Sequence, residues 1–410
     1  MVQSCKVWFF LIAIVFMYSP VVQAESESIV AFTRNHDLWL KEGKKETQLT
    51  HGEYVSYPKW SHDGKWIAYT RGRKDQEIWL YDVMNRKHIH PVLHEATNYQ
   101  WAPNKNVLAF QFGGVLNIIN LHDEDKQFKN VAFGAGNYSW LPDGKGFLVS
   151  SNAQVLPSGW TSVQLFTVPV DANMNPKKVK HFYTLPEQSD SFFAVSTSTF
   201  KWSQDKKWIS FLAIPTASWS MDSDILCLLS SDGKKFEVVD KMIPNNNWFQ
   251  WASGKNIMAY IEGEGRFAVE NKHLKTKELP AFRSDTFTPK GFVDWDFTWH
   301  NDTIITVSRA KEAEWSNDPD KRPLPRLFQV NINDNHQITV TNPPKGYGDY
   351  YPYFLKQSNQ LTWIRSNRKE ANMWIANADG SQAKLWIKNI DIADPYYEKR
   401  TWNEILDIYK

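Results

Sequence analysis

An aromatic-x-Trp step returns along this chain at Tyr99-Gln100-Trp101, Tyr138-Ser139-Trp140, Phe200-Lys201-Trp202, Phe249-Gln250-Trp251 and Phe297-Thr298-Trp299. Trp60 opens the series after Tyr57-Pro58, and Phe354 takes the same place after Tyr351-Pro352. From Trp60 to Phe354 these positions are 41, 39, 62, 49, 48 and 55 residues apart. A polar turn follows each, as in Ser61-His62-Asp63-Gly64-Lys65 and Pro142-Asp143-Gly144-Lys145, then a short strand such as Trp66-Ile67-Ala68-Tyr69. A further strand closes the unit, as in Ile78-Trp79-Leu80-Tyr81. Short strands joined by Asp-Gly or Asn-containing turns pair as antiparallel meanders. A period of about 40–50 residues with four strands per unit is the signature of a β-propeller. No segment carries a helical apolar spacing over a dozen positions. The expected fold class is therefore all-β: a propeller of four-stranded antiparallel blades, eight in number, with seven as the alternative.

The eighth unit comes from joining the two ends. Ile29 to Arg34 and Asp37 to Leu40 repeat the two-strand pair but lack an opening aromatic-x-Trp strand. One more interval beyond Phe354 reaches Trp402, which is expected to supply it and close the ring. Residues Ile405 to Tyr409 have no place in this scheme.

Residues 1–24 read as an export signal. Lys6 gives the positive start, Val7 to Met17 is an unbroken apolar run, and Val22-Gln23-Ala24 is a small-x-small cleavage site. Eleven residues at about 1.5 Å each fall well short of a roughly 30 Å hydrocarbon core. The expectation is an exported protein, secreted, periplasmic or envelope-associated, with no stable membrane span after cleavage and one propeller domain over residues 25–410. Cys5 leaves with the signal, so Cys227, inside the apolar run Ile225 to Leu229, cannot form an intrachain disulfide. The 47 Lys and Arg against 45 Asp and Glu exclude an electrostatic case for nucleic acid or anionic lipid as partner.

The stretch Trp60-Ser61-His62-Asp63-Gly64-Lys65 resembles the Trp-Ser-Pro-Asp-Gly-Lys repeat of TolB-like propellers, which also occurs in propeller domains of prolyl-oligopeptidase-type enzymes. The resemblance extends over essentially the whole mature chain, although only the Trp60 and Trp140 units keep Asp-Gly-Lys intact. It implies the fold strongly and function weakly. TolB itself carries an extra N-terminal α/β domain, whereas this chain is expected to enter strands directly after the signal, so TolB's partners are not carried over.

Catalytic motifs are missing. There is no Gly-x-Ser-x-Gly elbow, nucleotide loop or His-Glu-x-x-His, so no catalytic residue is assigned and no cofactor is expected. Ser61-His62-Asp63 has triad residue types, but adjacency in a turn is not triad geometry. His88 and His90 share strand parity near His94, and an exposed outer strand explains them better than a metal. Other propellers of this repeat type resemble pectin-fragment lyases that use histidines and a divalent metal. The remaining histidines here do not recur at one repeat position.

Twenty tryptophans need accounting for. Trp60, Trp101, Trp140, Trp202, Trp251, Trp299 and Trp402 hold the register, Trp66 and Trp208 begin second strands, and Trp39, Trp79 and Trp374 share a third-strand position. These are packing residues. Trp160, Trp219 and Trp315 instead occupy long second-to-third-strand connections, which open on the same face as the inter-blade loops carrying Trp248, Tyr347 and Tyr350. Polar neighbours there are Asp222, Asp224, Glu312, Glu314, Asp318, Lys321 and Arg322. Elongated loops are where binding residues tend to sit. Flat aromatics beside hydrogen-bonding groups suit sugar rings or apolar peptide side chains. The favoured expectation is a non-catalytic propeller presenting this face to an envelope or extracellular protein or polysaccharide. The alternative is a propeller enzyme, such as a polysaccharide lyase or glycosidase, acting on the same face.

Overall fold

The computed structural model describes residues 28–74, 77–90, 95–123 and 127–409, so the signal segment and His94 lie outside the described residues. Eight antiparallel sheets follow one another as the blades of a propeller. Blade 2 shows the plan: Val55–Trp60 is the inner strand, followed outward by Trp66–Arg71, Glu77–Asp82 and Lys87–Ile89. Blades 3 to 8 open with inner strands at Thr97–Trp101, Asn137–Trp140, Ser196–Trp202 (in two pieces), Phe249–Trp251, Phe292–Trp299 and Gly348–Leu355. The one α-helix among the described residues is the single turn Trp219–Asp222.

The ring closes as a joint between the chain ends, but the closing strand ends at Tyr409, seven residues beyond the Trp402 that the repeat spacing indicates. Leu406–Tyr409 is the inner strand of blade 1 and pairs with Ile29–Phe32, outside which lie Asp37–Glu42 and Lys45–Gln48. Trp402 is not in that strand. It sits in a one-turn 3-10 segment, wholly buried beside Tyr350 at 6.0 Å. The residues without a place in the sequence scheme are the ones that close the molecule.

The repeat turn is built from its own side chains. Ser61 Oγ donates to Asp63 (2.9 Å) and accepts from the Trp66 N–H (3.1 Å), while Asp63 also accepts from the Lys65 N–H (3.1 Å). Ser203, Asp205, Lys207 and Trp208 repeat this pattern in blade 5. Each aspartate also accepts from an asparagine of the next blade, Asn106 on Asp63 (2.9 Å) and Asn256 on Asp205 (2.8 Å). Gly64 has φ of +69°, and a Cβ there would meet the Tyr409 ring of the closing strand at 2.6 Å. Ser61-His62-Asp63 is therefore turn chemistry.

The middle residue of each aromatic-x-Trp step links one inner strand to the next. Lys59 donates to the Tyr99 carbonyl (2.9 Å), Gln100 to that of Tyr138 (2.8 Å), Lys201 to that of Phe249 (2.8 Å) and Gln250 to that of Phe297 (3.0 Å). At the closure, Asp407 accepts from the Trp60 N–H at 2.8 Å. The register indoles point back: Trp60, Trp101, Trp140 and Trp299 donate to the carbonyls of Asp407, Lys59, Gln100 and Gln250. Each bond contributes about 1 kcal/mol, and each packed indole roughly 2–3 kcal/mol more. Cys227 is fully buried, and burial pushes its thiol up, as suits an inert core residue.

Candidate functional site

The face that carries the second-to-third-strand connections divides into a closed centre and an open groove. The segment 391–405, joining blade 8 to blade 1, runs across the centre. Its Lys399 donates to the Pro244 carbonyl (2.8 Å), Asn403 accepts from Asn247 (3.3 Å), and Glu404 accepts from the Tyr57 hydroxyl (2.7 Å). These contacts lie on opposite sides of the ring, in the blade 5–6 loop and in blade 2. Glu398 is buried at the middle of the segment with Arg322 and Arg368 each at 3.1 Å and Arg400 at 3.6 Å. The upper mouth of the axis is thus strapped over by the chain itself.

Three candidate residues belong to this strapped centre. Trp248 is 1% exposed and its indole donates to the buried Asp296 at 3.0 Å. Tyr350 is 1% exposed, with its ring at 5.9 Å from Trp295. Asp224 is fully buried and both its carboxylate oxygens lack a hydrogen bond; burial pushes its pKa up to about 8, partly offset by Lys399. All three lie beneath the face because the strap, which the repeat spacing did not anticipate, covers them.

Trp315 is tied down beside the strap. It stacks on Phe267 (4.6 Å, 12°), Arg322 lies 4.0 Å over its ring, and Tyr397 meets it edge-on at 5.4 Å. Arg322 spends its guanidinium on Glu398 and the Ser316 carbonyl. Exposed Glu312 accepts from the Asn271 N–H (2.9 Å), and Tyr347 donates to Glu370. Glu314 is exposed, Asp318 caps the 3-10 turn Pro319–Lys321, and Lys321 lies 3.9 Å from Asp318. The structure does not bring this group together with Trp160 and Trp219.

Trp160, Trp219 and Asp222 do come together. They line a groove of about 1180 Å³ between blades 4 and 5, with Glu187, Asp190, Phe193, Ser223, Lys241 and Glu264. Trp160 ends a small hairpin, Val155–Leu156 with Gly159–Trp160, inside the blade 4 connection. Trp219 begins the helical turn of blade 5 and is 64% exposed. Phe193 bridges them, with ring centres 6.5 Å from Trp160 and 6.4 Å from Trp219. An exposed indole with no internal hydrogen-bond demand on its face is a surface left for a ligand.

Blade 6 holds the Trp219 turn in position. Arg266 makes a bidentate pair with Asp222 (2.7 and 2.5 Å), and the Gly265 N–H donates to the Asp222 carbonyl (2.8 Å). Ser223 donates to Glu264 at 2.6 Å, and Lys241 pairs with Glu264 at 3.0 Å. The Arg266 hydrogen bond holds Asp222 below the usual carboxylate range, and Ser223 does the same for Glu264. The loop 263–272 that supplies these groups is itself organised by Lys272, whose buried ammonium lies within 2.9–3.2 Å of four carbonyl oxygens and shares its three N–H donors among them. Gly263 is required there, since a Cβ would sit 1.7 Å from the Asn271 oxygen.

Sequence reasoning missed three parts of this face. Loop 263–272 is longer than the blade 5 connection, but it carries no tryptophan to mark it. Phe193 lies in the inter-blade loop 185–195, longer than the two inter-blade loops singled out by their aromatics. The strap 391–405 was hidden by the assignment of Trp402 to a strand. Its signal in the sequence is the length between the last repeat strand and the chain end.

His88 and His90 are occupied structurally. His88 meets the Tyr69 hydroxyl (2.8 Å) and the Leu49 carbonyl (2.9 Å), and His90 stacks on Trp79 at 4.5 Å. Among the described residues no group of three or more His, Cys, Asp or Glu side chains is arranged to hold a metal ion.

No family model matches the chain, and no curated protein matches it. Solved structures do, and what they share is a propeller. Dihydro-heme d1 dehydrogenase NirN superposes with a TM-score of 0.58 at 13% identity, covering 89% of this chain and 74% of its own. An oligogalacturonate lyase in complex with manganese gives 0.51 at 11%, covering 85% and 95%. A puromycin hydrolase gives 0.52 at 9%, covering 84% of this chain. The chain spans only about half of the puromycin-hydrolysing peptidases, 55% of this one and 53% of that from Mycobacterium tuberculosis. At such identities the likeness is one of fold: an all-β propeller, here with eight blades, whose solved counterparts include a peptidase, a dehydrogenase and a lyase.

Proposed function

We propose that the protein is an exported propeller enzyme that cleaves an extracellular or cell-wall polysaccharide bound in the groove between blades 4 and 5. The observation that carries the reading is the Trp160–Phe193–Trp219 cluster, with Trp219 exposed and the other two rings half-buried, set in one groove with the carboxylates of Glu187, Asp190, Asp222 and Glu264. Sugar rings stack on flat aromatics, and glycoside cleavage draws on paired carboxyl groups as acid and base or nucleophile. The groove is of a size to take several sugar units.

The company of the fold supports catalysis over binding alone, since a peptidase, a dehydrogenase and a lyase share it. The lyase is covered over 95% of its own length, whereas nearly half of the puromycin hydrolase lies outside the match. A carbohydrate-cleaving propeller without an added domain is therefore the nearer precedent. Glu264, kept ionised between Ser223 and Lys241, is the groove's best-positioned anionic group.

The test is to incubate the protein with a panel of cell-wall and extracellular polysaccharides, following new reducing ends and unsaturated products. Trp219→Ala is expected to weaken binding about tenfold or more, the worth of one good aromatic contact. Glu264→Gln is expected to keep binding and lose turnover. Saturable binding without any product would return the protein to the class of pure binding modules.

A further inference from the structure

We infer that the groove selects a glycan bearing protonated amines, a hexosamine polymer with free amino groups, over an acidic polysaccharide. This rests on the reading of the groove as a glycan site and names the substrate class within it.

Four carboxylates line the groove against one ammonium, that of Lys241. Two of the four are already matched: Asp222 by Arg266 and Glu264 by Lys241. Glu187 and Asp190 are not. Both are exposed on the loop that carries Phe193, and no salt bridge joins either to a cation among the described residues. The rim is therefore left with two unmatched negative charges facing the space a ligand fills, and a polyanion entering it meets repulsion.

The aromatic rings of the groove are compatible with the same ligand. Four half-buried tryptophans carry an internal guanidinium, with Arg34 4.6 Å from Trp39, Arg71 4.7 Å from Trp79, Arg322 4.0 Å from Trp315 and Arg365 4.5 Å from Trp374, so an aromatic-cation pairing is used repeatedly in this molecule. No such cation lies over Trp160, Phe193 or Trp219 among the described residues. The Trp160–Phe193–Trp219 cluster thus stands beside the two unmatched carboxylates with its ring faces open to a ligand's cation. An ammonium on a sugar ring would satisfy both, the ring faces through their quadrupole and the carboxylates through charge-assisted hydrogen bonds. Such a substrate also fixes the reaction as hydrolysis, because elimination needs the acidified proton that only a uronate supplies.

The experiment is titration calorimetry at about pH 6, where carboxylates are ionised and glucosamine amines are charged. The probes are a glucosamine hexamer, its N-acetylated form, an oligogalacturonate hexamer and hexalysine. The glucosamine hexamer is expected to bind about tenfold tighter than the acetylated form, with oligogalacturonate silent and hexalysine weaker than either sugar. A Glu187→Gln, Asp190→Asn double variant is expected to erase the preference for free amines while both hexosamine oligomers still bind, and Trp219→Ala to weaken both. Equal or tighter binding of the acetylated form or of oligogalacturonate overturns the inference and leaves the groove as a glycan site. Tighter binding of hexalysine overturns it in favour of a basic peptide. If no glycan binds, the reading of the groove itself fails.

Discussion

Asp224 is the residue whose chemistry is most at odds with its surroundings. Its carboxyl is fully buried, makes no hydrogen bond, and is pushed up to about 8 by burial, with Lys399 as the facing charge that pulls it back. The folded protein thus holds this proton where the unfolded chain, at about 3.9, has lost it. Stability from the protonated form is full below about pH 4 and drains away as pH rises towards about 8. Asp224→Asn is expected to remove that slope and to stabilise the protein at about pH 8 by on the order of 2 kcal/mol. Urea midpoints at about pH 5 and 8 check it, and an unchanged difference between the two midpoints would show that Lys399 keeps the carboxylate charged. Trp219 stands at the opposite extreme, since its exposed ring supports little of the fold.

At the level of elements, the strap 391–405 is bound to blade 2, to the blade 5–6 loop and to blades 7 and 8. Its Glu398 is a single buried carboxylate among three arginines from blade 7, blade 8 and the strap itself. Removing one member of a buried ion group leaves the others uncompensated, at a cost of about 3–5 kcal/mol. Glu398→Gln is expected to lower stability by about that amount and to open 391–405 to limited proteolysis, while the Trp219 platform is unaffected. Loss of stability without new cleavage in the strap would mean that the arginines, not the segment, carry the effect. The strap also explains why most of the candidate residues do not reach the groove. Trp248, Tyr350 and Asp224 are beneath it, Trp315 and Arg322 are bound to its edge, Glu312 and Tyr347 are paired with Asn271 and Glu370, and Trp160, Trp219 and Asp222 line the groove.

For the whole molecule, closure depends on four residues. Leu406–Tyr409 pairs with Ile29–Phe32, Asp407 accepts the Trp60 N–H, and Tyr409 packs 5.5 Å from Trp60 and against Gly64. A chain ending at Ile405 exposes the edge of blade 1 and one face of blade 2, and open edges invite aggregation. Its Tm is expected to fall by about 10 °C or more, with calorimetric unfolding no longer a single transition. A Tm within a few degrees of the full chain would mean that the ring does not need its closing strand.

Fold and site were legible to different depths because they rest on different kinds of information. The aromatic-x-Trp step and its Ser-x-Asp-Gly turn act within one blade and its neighbour, so spacing pointed to a ring of eight blades, with seven as the alternative, and to the packing role of the repeated tryptophans, while the closing strand Leu406–Tyr409 was set by pairing with the other end of the chain. The middle residue of each step was equally local, yet its bond reaches a different blade, and Lys, Gln, Ser and Asp share no pattern a single sequence displays. Loop length flagged Trp160 and Trp219. Whether their rings meet was decided by Phe193 from an inter-blade loop and by Arg266 from blade 6, which reach the groove through tertiary contacts distant in the chain. The covering of the axis was decided the same way, by a buried Glu398 that gathers arginines from blades 7 and 8. A repeat is written in local sequence, whereas an open groove and a closed mouth are properties of how the loops between repeats meet.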